Sequence, residues 1–151
     1  MAAIVILNYN GATYLNEFLP TVISYSKGHS IYVADNASTD DSVKFIIDQY
    51  PQIKLIVLEK NYGFTGGYNR ALKQINSDYY ILLNSDVEVK SDWIEPMVEL
   101  AEKTPNIGAI QPKILDFKNP LKFEYAGACG GYIDKYGFPF CRGRIFESLE
   151  V

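Results

Sequence analysis

Tyr79-Tyr80-Ile81-Leu82-Leu83-Asn84-Ser85-Asp86, with Val87 and Glu88 behind it, is the stretch that decides the fold. Its first five residues are an apolar run without polar alternation, the pattern of a strand covered on both faces and so central in a parallel sheet. The run stops abruptly at Asn84-Ser85-Asp86. Open α/β sheets bind ligands in the crevice beyond the carboxyl ends of their strands. Asp86 is therefore the candidate ligand for a divalent cation. Magnesium and manganese take hard oxygen donors, and they bind through one or two carboxylates plus the phosphates of a substrate. The same residue could equally cap a turn, and the rest of the chain decides between the two readings.

Working outward, Ala3-Ile4-Val5-Ile6-Leu7 is a second unbroken apolar run, ended by the turn Asn8-Tyr9-Asn10-Gly11. Tyr14, Leu15, Phe18, Leu19 and Val22 follow at helical spacing, a helix ending near Lys27-Gly28. Pro20 should kink or split it. Ile31-Tyr32-Val33-Ala34 is the next strand, and it runs into Asp35-Asn36-Ala37-Ser38-Thr39-Asp40-Asp41, so acids again sit at a strand's carboxyl end. Thr39 or Asp40 can cap the helix carrying Val43, Phe45, Ile46 and Ile47.

Ile53, Leu55, Ile56, Val57 and Leu58 form a third strand, opening into the glycine-rich turn Asn61-Tyr62-Gly63-Phe64-Thr65-Gly66-Gly67-Tyr68-Asn69-Arg70 ahead of a helix over 71–75. Glycines there would let backbone N–H groups approach an anion such as pyrophosphate, or would serve only close helix packing. The pattern is neither the dinucleotide fingerprint nor a P-loop. Beyond the acidic stretch, Ser91 can cap a helix with the core stripe Trp93, Ile94, Met97, Val98, Leu100 and Ala101. Residues 106–111 and 113–117 read as two short strands around Pro112. From Phe123 the chain turns rich in glycine and aromatics, Ala126 to Tyr132 and Tyr136 to Phe140, as hairpins or loops over a binding face.

The 151 residues, 48% of them hydrophobic, suffice for one domain with a real core. A net charge of −4 without a basic run argues against a nucleic-acid groove or an anionic membrane surface. No stretch approaches the roughly 18 apolar residues of a membrane span, so a cytoplasmic location is expected. Cys129 and Cys141 lack the partners of a zinc site and are expected as free thiols, and His29 is expected on a solvent-facing loop. Strands alternating with helices make right-handed βαβ crossovers and a parallel sheet the economical topology. Asp35 and Asp86 then end different strands at one edge, beside the Asn8 turn and the glycine-rich turn.

These segments, with Ile107-Gly108-Ala109-Ile110-Gln111-Pro112-Lys113, resemble in residues and in order the nucleotide-binding half of family 2 glycosyltransferases, especially rhamnosyltransferase-like members. The resemblance covers about residues 3–117. It implies the GT-A fold, a Rossmann-like nucleotide-diphospho-sugar transferase fold with a mainly parallel central sheet flanked by helices. Within one such domain, residues 1–117 would be the donor-binding core and 118–151 glycine/aromatic hairpins. It further implies that Asp35 binds the pyrimidine of a UDP- or dTDP-sugar and that Tyr9, with Asn8 and Asn10, walls the base. Asn61, Gly63, Gly66, Gly67, Asn69, Asn84 and Ser85 would line the donor pocket. Asp86, the last acid of the family's Asp-x-Asp motif, would hold the divalent cation, magnesium or manganese. Asn84 stands where the motif's first acid would be.

The implied chemistry is inverting sugar transfer to a glycan or lipid-linked acceptor, in cell-surface polysaccharide synthesis. The implied general base is an acid well downstream of Asp86, and none of Asp134, Glu147 or Glu150 matches its context. A missing acceptor-binding half, and a homodimer formed through the surface it would expose, are therefore expected. A non-catalytic nucleotide-sugar-binding module fits the same residues. A receiver-like phosphotransfer domain would use Lys113 but leaves the glycine-rich turn unexplained.

Overall fold

The computed structural model describes residues 1–124, 131–141, 144–145 and 148–149. The chain divides into two compact units, Met1–Val98 and Glu99–Val151. The first is built from β1 (Ala2–Asn8), α1 (Ala12–Tyr25), β2 (Ser30–Asp35), α2 (Ser42–Gln49), β3 (Lys54–Val57), α3 (Gly63–Leu72) and β4 (Tyr79–Asn84), and α4 (Glu95–Lys103) begins in it.

The four strands form one parallel sheet in the order β3-β2-β1-β4. Period-two alternation sends β1 to both faces. Ala2, Ile4 and Ile6 pack with Leu15, Leu19 and Val22 of α1 and Ile46 of α2. Ala3 and Val5 pack with Tyr68 and Ala71 of α3. Fully burying an aliphatic side chain of this size contributes about 1.5–3 kcal/mol, so β1, buried along almost its whole length, anchors the unit. β4 corrects the sequence reading. It lies at the edge of the described sheet, with Tyr80 42% and Leu82 52% exposed, because α3 covers β1 and β2 on that face.

Pro20 neither ends nor splits α1, which is continuous through it. Pro20 and Asn16 both lie on the exposed face, where water can take the carbonyl that the missing N–H leaves. The residues of the glycine-rich turn are helical from Gly63 onward, and Gly66 and Gly67 belong to α3 itself. The helix expected after Ser91 starts at Glu95, and of its stripe Ile94 is fully buried while Leu100 is 48% exposed. His29 is not solvent-facing: its side chain is 14% exposed. Its Nδ1 accepts the Ala2 N–H at 3.2 Å, and its Nε2 lies 3.4 Å from Glu95 Oε1.

In the second unit, neither strand expected over 106–117 forms, and an isolated bridge joins Leu115 to Phe123. β5 (Gly131–Ile133) and β6 (Pro139–Cys141) make an antiparallel hairpin, as do β7 (Arg144–Ile145) and β8 (Ser148–Leu149). Asp134 closes the β5–β6 turn by accepting the N–H groups of Tyr136 and Phe138. The segment from Ala126 to Gly130, with Cys129, and the acids Glu147 and Glu150 lie outside the described residues. No helix among the described residues is long and apolar enough to cross a membrane.

Candidate donor-binding site

Parallel pairing brings the carboxyl ends of the strands together: Asn8 is in register with Asp35, Leu7 with Asn84, and Asp35 with Val57. What each strand does as it leaves the sheet defines the site.

Asn8, Asp35 and Ser38 form its buried floor. Asp35 is 0% exposed. Its Oδ2 accepts Asn8 Nδ2–H at 3.0 Å and the Ser38 hydroxyl at 2.6 Å, while Oδ1 accepts the Ser38 N–H at 2.8 Å. These three bonds leave one of the carboxylate's roughly four acceptor sites, on Oδ1, for the base contact expected of Asp35. Ser38 Oγ also accepts from Asn8 Nδ2 and from the Asn10 N–H, and Asn10 Oδ1 takes the Thr39 N–H at 2.7 Å. The β1 and β2 loops are thereby one hydrogen-bonded body. Its backbone turns through the left-handed region at two non-glycine residues, Asn10 (φ 52) and Ala37 (φ 63). Such residues are uncommon and gather at functional sites.

Asp40 ties the two helices that leave this body. Its carboxylate accepts the Ala12 N–H at 3.1 Å and the Ser42 N–H at 3.0 Å, at the starts of α1 and α2. It thus does the work expected of a cap from the position before Asp41. Burial opposes its charge, but the hydrogen bonds from Ser42 and Ala12 together outweigh this and hold the carboxyl below the ordinary range.

Asn36, 2% exposed, connects the third segment. Its Oδ1 accepts the Tyr62 N–H at 2.9 Å, and its Nδ2 donates to Asn61 Oδ1 at 3.0 Å and the Gly63 carbonyl at 3.1 Å. Gly63 holds φ +70, which a side chain would strain. Gly67 is buried rather than lining a pocket. A methyl there would stand 2.7 Å from Leu7 Cδ1 and 3.2 Å from Asn36 Nδ2, so it is a packing glycine. Gly66 is half-buried against Tyr62, and Asn61 and Asn69 are exposed. Tyr9 and Phe64, 51% and 64% exposed, present open rings at the same end.

The fourth segment is the Ser85-Asp86 turn after β4. It is pinned from beneath by Tyr68, whose hydroxyl donates to the Leu83 carbonyl at 3.0 Å and whose burial pushes its own pKa up. Asp86 and Asn84 are exposed and Ser85 is half-buried. Among the described residues no three His, Cys, Asp or Glu side chains gather as a metal cage. One open carboxylate is nonetheless the donor set expected for magnesium or manganese that takes its other oxygens from water and a diphosphate.

Asn36, Ser38, Asp40 and Tyr68 were absent from the expected site. The polar run after β2 carried the signal for three of them. Nothing local in the sequence marks Tyr68.

Comparison with known proteins bears on the family and the fold. Residues 3–145 match the profile of Glycosyl transferase family 2. N-acetylglucosaminyl-diphospho-decaprenol L-rhamnosyltransferase of Mycobacterium tuberculosis is 26% identical over 125 residues, 75% of this chain and 41% of that protein. Poly-beta-1,6-N-acetyl-D-glucosamine synthase of Staphylococcus epidermidis is 27% identical over 131 residues, 81% of this chain and 32% of that protein. The chain therefore spans between about a third and two fifths of the length of these relatives. Among solved structures, the mannosyltransferase PcManGT from Pyrobaculum calidifontis, in complex with GDP-Man and Mn2+, superimposes with a TM-score of 0.62 at 20% identity, covering 80% of this chain and 38% of that one. S. aureus TarS 1-349 in complex with UDP-GlcNAc gives 0.58 at 20% identity, over 75% and 38% of the two chains. The fold is GT-A, and with the profile matched over nearly its whole length the chain belongs to glycosyl transferase family 2.

Proposed function

We propose that this chain carries the donor site of an inverting glycosyltransferase that moves a sugar from a nucleoside diphosphate, UDP or dTDP, to a hydroxyl of a glycan or lipid-linked acceptor in cell-surface polysaccharide synthesis. The observation that carries the reading is the junction at one sheet edge of a rigid, buried Asn8–Asp35–Ser38 floor with an exposed acidic turn at Asp86. The named activities of the rhamnosyltransferase and synthase relatives, and the nucleotide sugars bound by the two structural neighbours, agree with it.

Each segment has a distinct task. The open ring of Tyr9 stacks on the base, a contact that uses the flat apolar face of an aromatic. Asp35 acts through the loop it holds, fixing Asn10 and Ser38 beneath the nucleoside. Asn61, Gly63 and Gly66, around the first turn of α3, line the diphosphate side, where the helix dipole favours anions, with Asn69 further along the same helix. Asn84 and Ser85 set the turn, and Asp86 holds the cation. That ion, when bound, neutralises charge on the departing diphosphate. A general base takes the proton of the acceptor hydroxyl.

The reading is tested by thermal-shift and calorimetric titration of UDP, dTDP and GDP with manganese. Saturable binding of a pyrimidine diphosphate, weakened several-fold in Tyr9→Ala, is expected. Equal indifference to all three nucleotides would reject it.

A further inference from the structure

We infer that Asn8 is a positioning residue that couples the two sides of the donor site: its amide nitrogen holds the β2 loop, and its amide oxygen is the acceptor that the Ser85 hydroxyl reaches when a metal diphosphate is bound. This rests on the donor-site reading above.

Asn8 is fully buried, and its Nδ2 is committed to Asp35 Oδ2 at 3.0 Å and Ser38 Oγ at 3.2 Å. Those bonds fix the orientation of the amide. Flipping it would set Oδ1 against the Asp35 carboxylate, two acceptors face to face. Oδ1 therefore points the other way, and there it has no hydrogen-bond partner among the described residues. A buried acceptor left unmade is exceptional in a folded protein and calls for an explanation.

Its surroundings supply one. A methyl group built on Gly11 collides with Asn8 Oδ1 and lies 3.6 Å from Ser85 Oγ, so the amide oxygen and the serine hydroxyl flank the same point. Strand register agrees: Leu7 pairs with Asn84, and Asn8 and Ser85 are the next residues beyond that pair. Ser85 in turn precedes Asp86. When Asp86 is drawn onto a cation, the turn that carries Ser85 moves with it, and the hydroxyl has a preset acceptor. The glycine at position 11 keeps the space between them open. Base side and metal side then tighten together, through a residue that touches neither ligand.

The experiment is 1H–15N spectroscopy of the Asn8 side-chain amide in the whole chain, with MgUDP as probe. MgUDP should shift the Asn8 amide protons in the wild type. Ser85→Ala should abolish that shift without lowering the melting temperature of the free protein, and should weaken MgUDP about ten-fold, the effect of one hydrogen bond. Ser85→Thr, which keeps the hydroxyl, should restore both. An unmoved Asn8 amide in wild-type protein that binds MgUDP by calorimetry would overturn the coupling, as would an identical shift in Ser85→Ala. Absence of MgUDP binding in the wild type would instead overturn the donor-site reading, and the role of Asn8 with it.

Discussion

The side-chain oxygen of Asn36 accepts the backbone N–H of Tyr62 at 2.9 Å, so a buried amide at the end of β2 caps the start of α3. With its two donated bonds to Asn61 and Gly63, Asn36 stands in for a length of backbone and fixes where α3 meets the site. Asn36→Ala should lower unfolding stability by about 2–3 kcal/mol, the scale of burying unsatisfied polar groups. It should also weaken nucleotide binding, read by urea denaturation and calorimetry on the same sample. Asn36→Asp keeps the acceptor for Tyr62 but cannot donate to the Gly63 carbonyl, and should recover only part of the loss.

Gly11→Ala tests the space over Asn8. Its methyl meets the locked Asn8 Oδ1 and not the free end of a flexible chain. Overpacking of this kind costs about 1–3 kcal/mol, and a denaturation midpoint lower than wild type by that amount is expected. Gly67→Ala should cost less, because Leu7 Cδ1 can rotate away, and Leu7→Ala in the same chain should offset part of it.

Ala37 holds φ 63, a conformation that costs an L-residue roughly 1–2 kcal/mol and glycine almost nothing. After the extra chain entropy of glycine, roughly 0.5–1 kcal/mol, Ala37→Gly should be neutral to slightly stabilising. Ala37→Val should be clearly destabilising. Melting temperatures of the pair, moving in opposite senses or with only the valine variant falling, check the strain.

Asp40 gives a pH dependence with a definite sign. Its folded pKa is depressed, so its contribution is present above the unfolded carboxylate value of about 4. It is lost as pH falls through the lower folded value. The melting temperature of the wild type should therefore drop on acidification through that window more steeply than that of Asp40→Asn. Because Asp40 is exposed, the difference is expected to be small and to shrink with salt.

Much of the first unit could be read from the chain because its signals are local. Apolar runs such as 3–7 and 31–34 have strand period and strand composition, and each ends in polar residues that cannot continue a buried strand. The position of β4 was misread because an unbroken apolar run records that neighbours exist, not which face they leave open. Tyr80 and Leu82 are apolar and yet exposed. The glycines at 66 and 67 looked like a turn because glycine disfavours helices on average. The close approach of Leu7 that favours glycine at 67 is a contact across sixty positions of sequence, invisible locally. His29 and Tyr68 failed for the same reason: their partners, Ala2, Glu95 and Leu83, lie far along the chain or are backbone groups that no residue pattern encodes. The second unit, with a single isolated bridge in place of strands over 106–117, offers little periodicity to read there.

The most direct test of the donor site is calorimetric titration of UDP with and without manganese, on the wild type and on Asp86→Ala. Asp86 is exposed on its turn, so the substitution should leave the fold intact. The expected result is binding that manganese strengthens at least about ten-fold in the wild type, about 1.4 kcal/mol, with that strengthening gone in Asp86→Ala. Manganese-strengthened binding that survives in Asp86→Ala, or wild-type binding indifferent to manganese, would contradict the assignment of Asp86 as the metal ligand.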